Sequence, residues 1–255
     1  MTEIGCLWPA RASRSGSLTD DDLAALYSEA VPDTAWTRVN FVSSLDGSAT
    51  RDGRSGGLSD AADRRVFDVL RRLCDVVVVG AGTVRAEGYG GMRVDDASVR
   101  WRVAHDRAPQ PTFAIVSGLL DLDPRSSVFA DAPVRPIVFT GAAAPADRRR
   151  ALGAVATVVE CAEPGRVSGR VDTGTMISEL ADRGLPRIHC EGGPHLFGAL
   201  VAERTVDELC LTLSPQLTGG AGPRITDGVG SVPLGMRLGH VLASEDTLLL
   251  RYLRA

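Results

Sequence analysis

No apolar run in this 255-residue chain reaches the roughly 20 residues that cross a bilayer, so membrane insertion is not expected. The amino terminus lacks a charged start, an apolar stretch and a small-residue cleavage site, so export is not indicated and the expected compartment is the cytoplasm. Cys6, Cys74, Cys161, Cys190 and Cys210 are odd in number and none has CxxC spacing, which offers neither a disulfide framework nor a zinc site. Cys74, Cys190 and Cys210 lie beside apolar or strand-like segments and read as inert buried thiols. His105, His189, His195 and His240 show no metal-ligand spacing, and no Ser-His-Asp ordering of a serine hydrolase is visible. There is no basic face either. The net charge is −4, and arginine and aspartate are scattered along the chain, which disfavours a nucleic-acid partner. The basic side chains are arginine, a choice that says more about a GC-rich coding sequence than about chemistry.

What is present is an alternation of short apolar runs and amphipathic stretches. Residues 1–33 lack steady periodicity apart from LTDDDLAALYSEA, where Thr19 can cap a short helix, and they read as a surface lead-in to a single domain whose core spans about 37–255. TRVNFVSSLDG favours a strand, and a glycine-rich charged loop follows it. From Ser59 onward, Val66, Leu70 and Leu73 fall at helical spacing behind a capping residue. Val76 to Val79 is the uninterrupted β-branched run of a strand buried on both faces of a parallel sheet. PTFAIVSG, PIVFTG and ATVVECA repeat the theme. TMISELADRG reads as a helix closed by Gly184, and GPHLFGALVAERTVDELCLTLSP as a helix leading into a strand. The tail, VLASEDTLLLRYLRA, reads as two strands around a polar turn. This order predicts a three-layer α/β/α fold, with a mainly parallel central sheet and an antiparallel C-terminal edge. Glu87 to Pro111 reads as an irregular insertion of the kind that forms lids or binding loops.

Three glycine-bearing stretches carry most of the chemistry: NFVSSLDG, VVVVGAGTVR and CEGGPHL. In GAGT a strand ends at small residues whose N–H groups, with the Thr83 hydroxyl, could meet a pyrophosphate, although a tight strand-to-helix turn would look the same. Gly192-Gly193 also sits between a strand and a helix. Two such turns at the carboxyl ends of strands in one sheet are what build a dinucleotide crevice. Ser43, Ser44 and Asp46 stand where a strand runs into a loop, where they could reach a ligand or simply form an Asp-Gly turn. Asp63 lies in the first turn of a helix, where it could serve a substrate or only complement the helix dipole. His195 could line the crevice, and a surface position fits it better.

Taken in order, NxxxSLDG, VVVGAGTVR and EGGPHLxGxLVxxxxVDELxLxLSPxLxGG resemble the reductase domain of the riboflavin-pathway deaminase-reductases, which has the dihydrofolate reductase fold. The resemblance implies NADPH as hydride donor, a small pyrimidine substrate such as 5-amino-6-(5-phosphoribosylamino)uracil, and a homodimer. The PCxxC motif of the deaminase half is absent, so a stand-alone reductase is expected. The resemblance further implies that Gly80, Gly82, Thr83 and Val84 hold the cofactor, with Glu191, Gly192, Gly193 and Leu196 bordering it from the second turn. Ser117 and Thr140 would lie near the adenosine 2′-phosphate. Asn40, Ser44 and Asp46 would stand beside nicotinamide and substrate, with Asp46 as a catalytic carboxylate, and Ser59 with Arg64 or Arg65 on the substrate-side helix. The family's Asp-Pro turn after GTVRA is replaced by EGYGGMRV, where Arg93 is the candidate grip on the ribose phosphate. A carboxylate placed like Asp63 binds the pterin edge in the related folate reductases. A pterin reductase is therefore one alternative, and a non-catalytic NADPH-binding protein is another.

Overall fold

The computed structural model describes residues 2–9, 17–28, 34–162, 168–228, 230 and 233–255. From the first long strand onward the chain follows the alternation read above. Strand β2 (Trp36–Ser44) leads to helix α2 (Ala61–Leu73), then β3 (Val76–Gly80), α3 (Ala81–Glu87) and α4 (Asp96–Ala104). Next come β4 (Thr112–Val116), α5 (Ser127–Ala130), β5 (Ile137–Thr140), α6 (Ala146–Gly153) and β6 (Thr157–Glu160). Helix α7 (Thr173–Asp182), β7 (Arg187–Cys190), α8 (Pro194–Ala202), β8 (Glu208–Ser214), β9 (Met236–Ser244) and β10 (Thr247–Arg254) complete it. Before these, β1 (Gly5–Trp8) and α1 (Asp20–Ser28) occupy the lead-in.

All strands form one sheet in the order β1-β9-β10-β8-β2-β7-β3-β4-β5-β6. From β8 to β6 the pairs are parallel, and β8, β10, β9 and β1 pair antiparallel. Val76 to Val79 of β3 are fully buried: Val76 and Val78 face α7 and α8, while Val77 and Val79 face the opposite layer. That is the two-sided burial expected of a central parallel strand. Helix α2 starts where the Asp60 carboxylate accepts the Asp63 N–H, and it buries Val66, Leu70 and Leu73. The Thr19 hydroxyl caps α1 by accepting the Asp22 N–H.

Two expectations need correction. The lead-in is not a surface appendage: β1 forms the sheet edge against β9, and Leu23, Ala24 and Tyr27 of α1 share a core with α2. Its part at 10–16 and 29–33 lies outside the described residues. The apolar positions of α1 are too few to announce this burial, which depends on α2 offering the complementary face. The stretch from Glu87 to Pro111 is not all irregular, because Asp95 caps α4 by accepting the Ser98 N–H. The C-terminal strands do form the antiparallel edge region of a mainly parallel sheet, with β10 inserted between β9 and β8 and β1 added outermost.

Candidate active site

Because β7 lies between β2 and β3, the turns that follow β3 and β7 stand side by side. The Gly80 N–H donates to the Gly192 carbonyl at 2.8 Å, and the Gly192-Gly193 peptide is cis. Neither glycine of that peptide has room for a Cβ unless a neighbouring side chain shifts. A Cβ on Gly192, whose φ is +88°, would sit 2.7 Å from the Phe41 ring, and one on Gly193 would sit 2.3 Å from Thr83 Oγ1. A Cβ on Gly82, by contrast, would meet only open space. The second-turn backbone therefore packs directly on the first.

These turns border a cavity of about 650 Å³, lined by Gly82, Thr83 and Gly193. Asn40 of β2, Ser59, Asp63, Arg64 and Phe67 around α2 and residues 89–93 line the same cavity, with Arg64 and Arg93 exposed at its rim. Asp63 is 8% exposed, and its Oδ1 accepts the Thr212 hydroxyl at 2.6 Å. Burial raises its pKa, and the Ser59 and Thr212 hydroxyls only partly oppose that shift. A carboxyl in this state can accept from a ring N–H or hold a proton of its own. Arg93 reaches the rim with its guanidinium anchored on the Asp131 carbonyl at 2.6 Å.

A polar group that sequence reasoning missed sits beneath the second turn. Arg71 donates from Nε and Nη2 to the two Glu191 oxygens at 2.6 and 2.7 Å, and the Tyr89 hydroxyl donates to Glu191 Oε2 at 2.8 Å. Burial would push the Glu191 pKa up, but the charge and hydrogen bonds of Arg71 together hold it below the ordinary value. Arg71 also lies over the Phe67 ring at 4.3 Å. Arg71, Phe67, Tyr89 and Glu191 all line the cavity. Glu191 was legible from its glycine turn. Arg71, by contrast, looked like any basic residue in the last turn of a helix, and its partner lies 120 positions away.

Several expected site residues stand elsewhere. Arg65 projects from the other side of α2 and binds Asp20, the Thr2 carbonyl and the Leu18 carbonyl, tying the lead-in down. Asp46 is exposed and does not line the cavity. Its carboxylate accepts the Ser44 hydroxyl, the N–H groups of Gly219 and Thr218 and the Thr218 hydroxyl, bonds that hold its pKa well below the usual range. It clamps the β8–β9 loop, and Ser44 serves the same clamp. Val84 and Leu196 are buried in the two cores, where apolar side chains of that size gain most. Ser117 and Thr140 are buried away from the cavity, because residues 168–170 lie over the ends of β4 and β5. The Thr140 hydroxyl is used on the Gly118 carbonyl at 3.1 Å. His195 is a surface imidazole, 80% exposed. All five cysteines are buried free thiols.

The profile of the RibD C-terminal domain matches residues 35–250, nearly the whole chain. This chain belongs to that family. The RibD C-terminal domain match takes in β2 through almost all of β10 and therefore every wall of the cavity. Among curated relatives, the 2,5-diamino-6-ribosylamino-4(3H)-pyrimidinone 5′-phosphate reductase of Archaeoglobus fulgidus is 29% identical over 193 residues, covering 74% of this chain and 85% of that protein. The riboflavin biosynthesis protein RibD of Bacillus amyloliquefaciens is 29% identical over 197 residues, 76% of this chain but 50% of that longer protein. Among solved structures, a pyrimidine reductase-like protein from Corynebacterium diphtheriae superposes with a TM-score of 0.80 at 25% identity, over 91% of this chain and 98% of that one. The chain is thus an oxidoreductase, a reductase of the riboflavin-pathway type. Among the described residues no helix is long and apolar enough to cross a membrane.

Proposed function

We propose that this chain uses NADPH to reduce a 6-(ribosylamino)pyrimidine 5′-phosphate, either the uracil or its 2-amino precursor. In that reaction the open-chain imine gains a hydride at ribose C1′ and a proton at the attached nitrogen, giving the ribitylamine. The observation that carries this reading is a single cavity lined both by the two glycine turns and by the buried Asp63 carboxyl. Gly82, around which there is open space, leaves room for a ring beside the turns, so the residues fit the nicotinamide half of the cofactor. Ser117 and Thr140 offer no matching support for the adenosine end. When bound, NADPH supplies the hydride from its nicotinamide C4.

In this reading Gly82, Thr83 and Gly193 position the cofactor, and the Arg71–Glu191–Tyr89 group keeps the second turn in register with it. Asn40, Ser59 and Asp63 orient the pyrimidine, and Arg64 and Arg93 at the rim attract its phosphate. Asp63 also supports a second reading, since a buried carboxyl suits the amino-pyrimidine edge of a dihydropterin equally well. Loss of NADPH absorbance in purified protein distinguishes the two. Turnover is expected with the ribosylaminopyrimidine phosphate, and Asp63→Asn is expected to lower kcat/KM by about 10²-fold or more. No turnover with that substrate, alongside turnover of dihydrofolate, would replace the first reading by the second.

A further inference from the structure

One more polar side chain stands against the Arg71–Glu191–Tyr89 group. His189 lies two residues before Glu191, on the same side of β7, and is fully buried. Its strand neighbours are Arg38 of β2 and Val77 of β3, and the Phe67 ring of α2 meets it edge-on with centroids 6.2 Å apart. Neither ring nitrogen has a hydrogen-bond partner among the described residues. A valine or leucine would fill such a place without leaving two polar atoms unsatisfied, so packing alone does not account for an imidazole there. Its Nε2 stands 3.7 Å from Glu191 Oε1, roughly 0.5 Å beyond the usual range of a hydrogen bond.

The surroundings of the ring fix its protonation. Burial holds the His189 pKa down to about 4, with Glu191 and Glu208 opposing that shift and Arg38 and Arg71 adding to it. The ring is therefore neutral at neutral pH and carries one N–H. A carboxylate oxygen repels a bare nitrogen lone pair, which selects the Nε2–H tautomer. Glu191 has room for that donor. Among the described residues its Oε1 accepts from Arg71 Nε alone, whereas Oε2 accepts from both Arg71 Nη2 and the Tyr89 hydroxyl.

We propose that His189 is a positioning residue for the coenzyme: as NADPH enters the cavity, the Nε2–H closes on Glu191 Oε1 and holds that carboxylate, and with it the Gly192-Gly193 turn, in place. The inference rests on the reading that the cavity takes NADPH. Tyr89 lines the same cavity, so a ligand acceptor there competes with Glu191 for its hydroxyl. A hydroxyl has one proton to donate, and a buried carboxylate that loses it needs another donor. Hydrogen bonds in such sites are often long before the ligand binds and tighten with it.

Calorimetric titration with NADPH tests it. His189→Met keeps a similar volume without a donor and is expected to bind NADPH roughly 10-fold more weakly, with kcat at saturating coenzyme unchanged. His189→Gln returns an N–H near the place of Nε2 and is expected to bind within about 3-fold of wild type. Loss of the donor also raises the Glu191 pKa, so the acid limb of NADPH affinity should move to higher pH in His189→Met and stay in place in His189→Gln. Equal binding by wild type and His189→Met, or equal losses in the two variants, would overturn the inference and leave the coenzyme reading standing. A wild type that binds no NADPH would overturn both. Should His189→Met not fold, nitrogen NMR of the wild-type imidazoles decides. An Nε2–H at His189 whose resonance moves when NADPH is added is expected, and an Nδ1–H tautomer or an unmoved resonance would count against the inference just as firmly.

Discussion

Arg64 and Arg65 are neighbours in the sequence and do unrelated work in the structure. One helical residue is a rotation of about 100°, so adjacent side chains must diverge. Which of them meets the cavity depends on where the lead-in packs, and it packs on Arg65 through Asp20, Thr2 and Leu18. Arg65→Ala is expected to lower stability by about 1 to 3 kcal/mol with kcat/KM unchanged. Arg64→Ala is expected to raise KM by roughly 10-fold with an unchanged melting temperature. Steady-state kinetics and thermal melts on the two variants check both statements, and a reversal would return Arg65 to the substrate side. Asp46 teaches the same lesson. Its chemistry was legible as a carboxylate at a strand end, but hydrogen-bond capacity is finite, and the β8–β9 loop uses it.

At the scale of elements, the glycine turns were readable because a β-branched run that ends in glycine and opens a helix fits few local structures besides a strand-to-helix turn. Their adjacency was not readable locally, since it follows from β7 entering the sheet between β2 and β3. The contact between turns is specific enough to test by compensation. Gly193→Ala would drive a methyl to 2.3 Å from Thr83 Oγ1, whereas the Thr83 Cβ lies at 3.7 Å, an ordinary contact. Gly193→Ala is therefore expected to cost about 1 to 3 kcal/mol in urea unfolding, and the Gly193→Ala/Thr83→Ala double variant to recover much of it relative to Thr83→Ala alone. If the two losses simply add, the turns do not touch as described.

Across the whole molecule, the antiparallel half of the sheet is held by a buried ionic group. Glu208 accepts from Arg38 Nε and Arg251 Nε, each at 2.8 Å, and from Trp36 Nε1 at 2.8 Å. Burial opposes ionisation, yet the two guanidinium groups hold the Glu208 pKa down to about 2. A depressed carboxyl contributes stability that is complete above its unfolded value of about 4.3 and fades as pH falls toward the folded value. Urea midpoints are expected to drop as the pH is lowered from about 5 to about 3. Glu208→Gln, which removes a counter-charge shared by two buried arginines, should cost about 3 to 5 kcal/mol at neutral pH and flatten that part of the profile. An unchanged profile in the variant would assign the acid sensitivity to other carboxylates. The sequence alone determined the alternation of strands and helices, the two glycine turns and the family motifs, because each is written in residues close together, where periodicity and backbone freedom act. Only the tertiary structure decided which arginine meets the cavity, that Arg71 locks Glu191, and that the leucines of β8 face outward while Glu208 faces inward. Those outcomes depend on which surfaces meet across long stretches of chain, and alternation along a strand separates two faces without saying which of them will be covered.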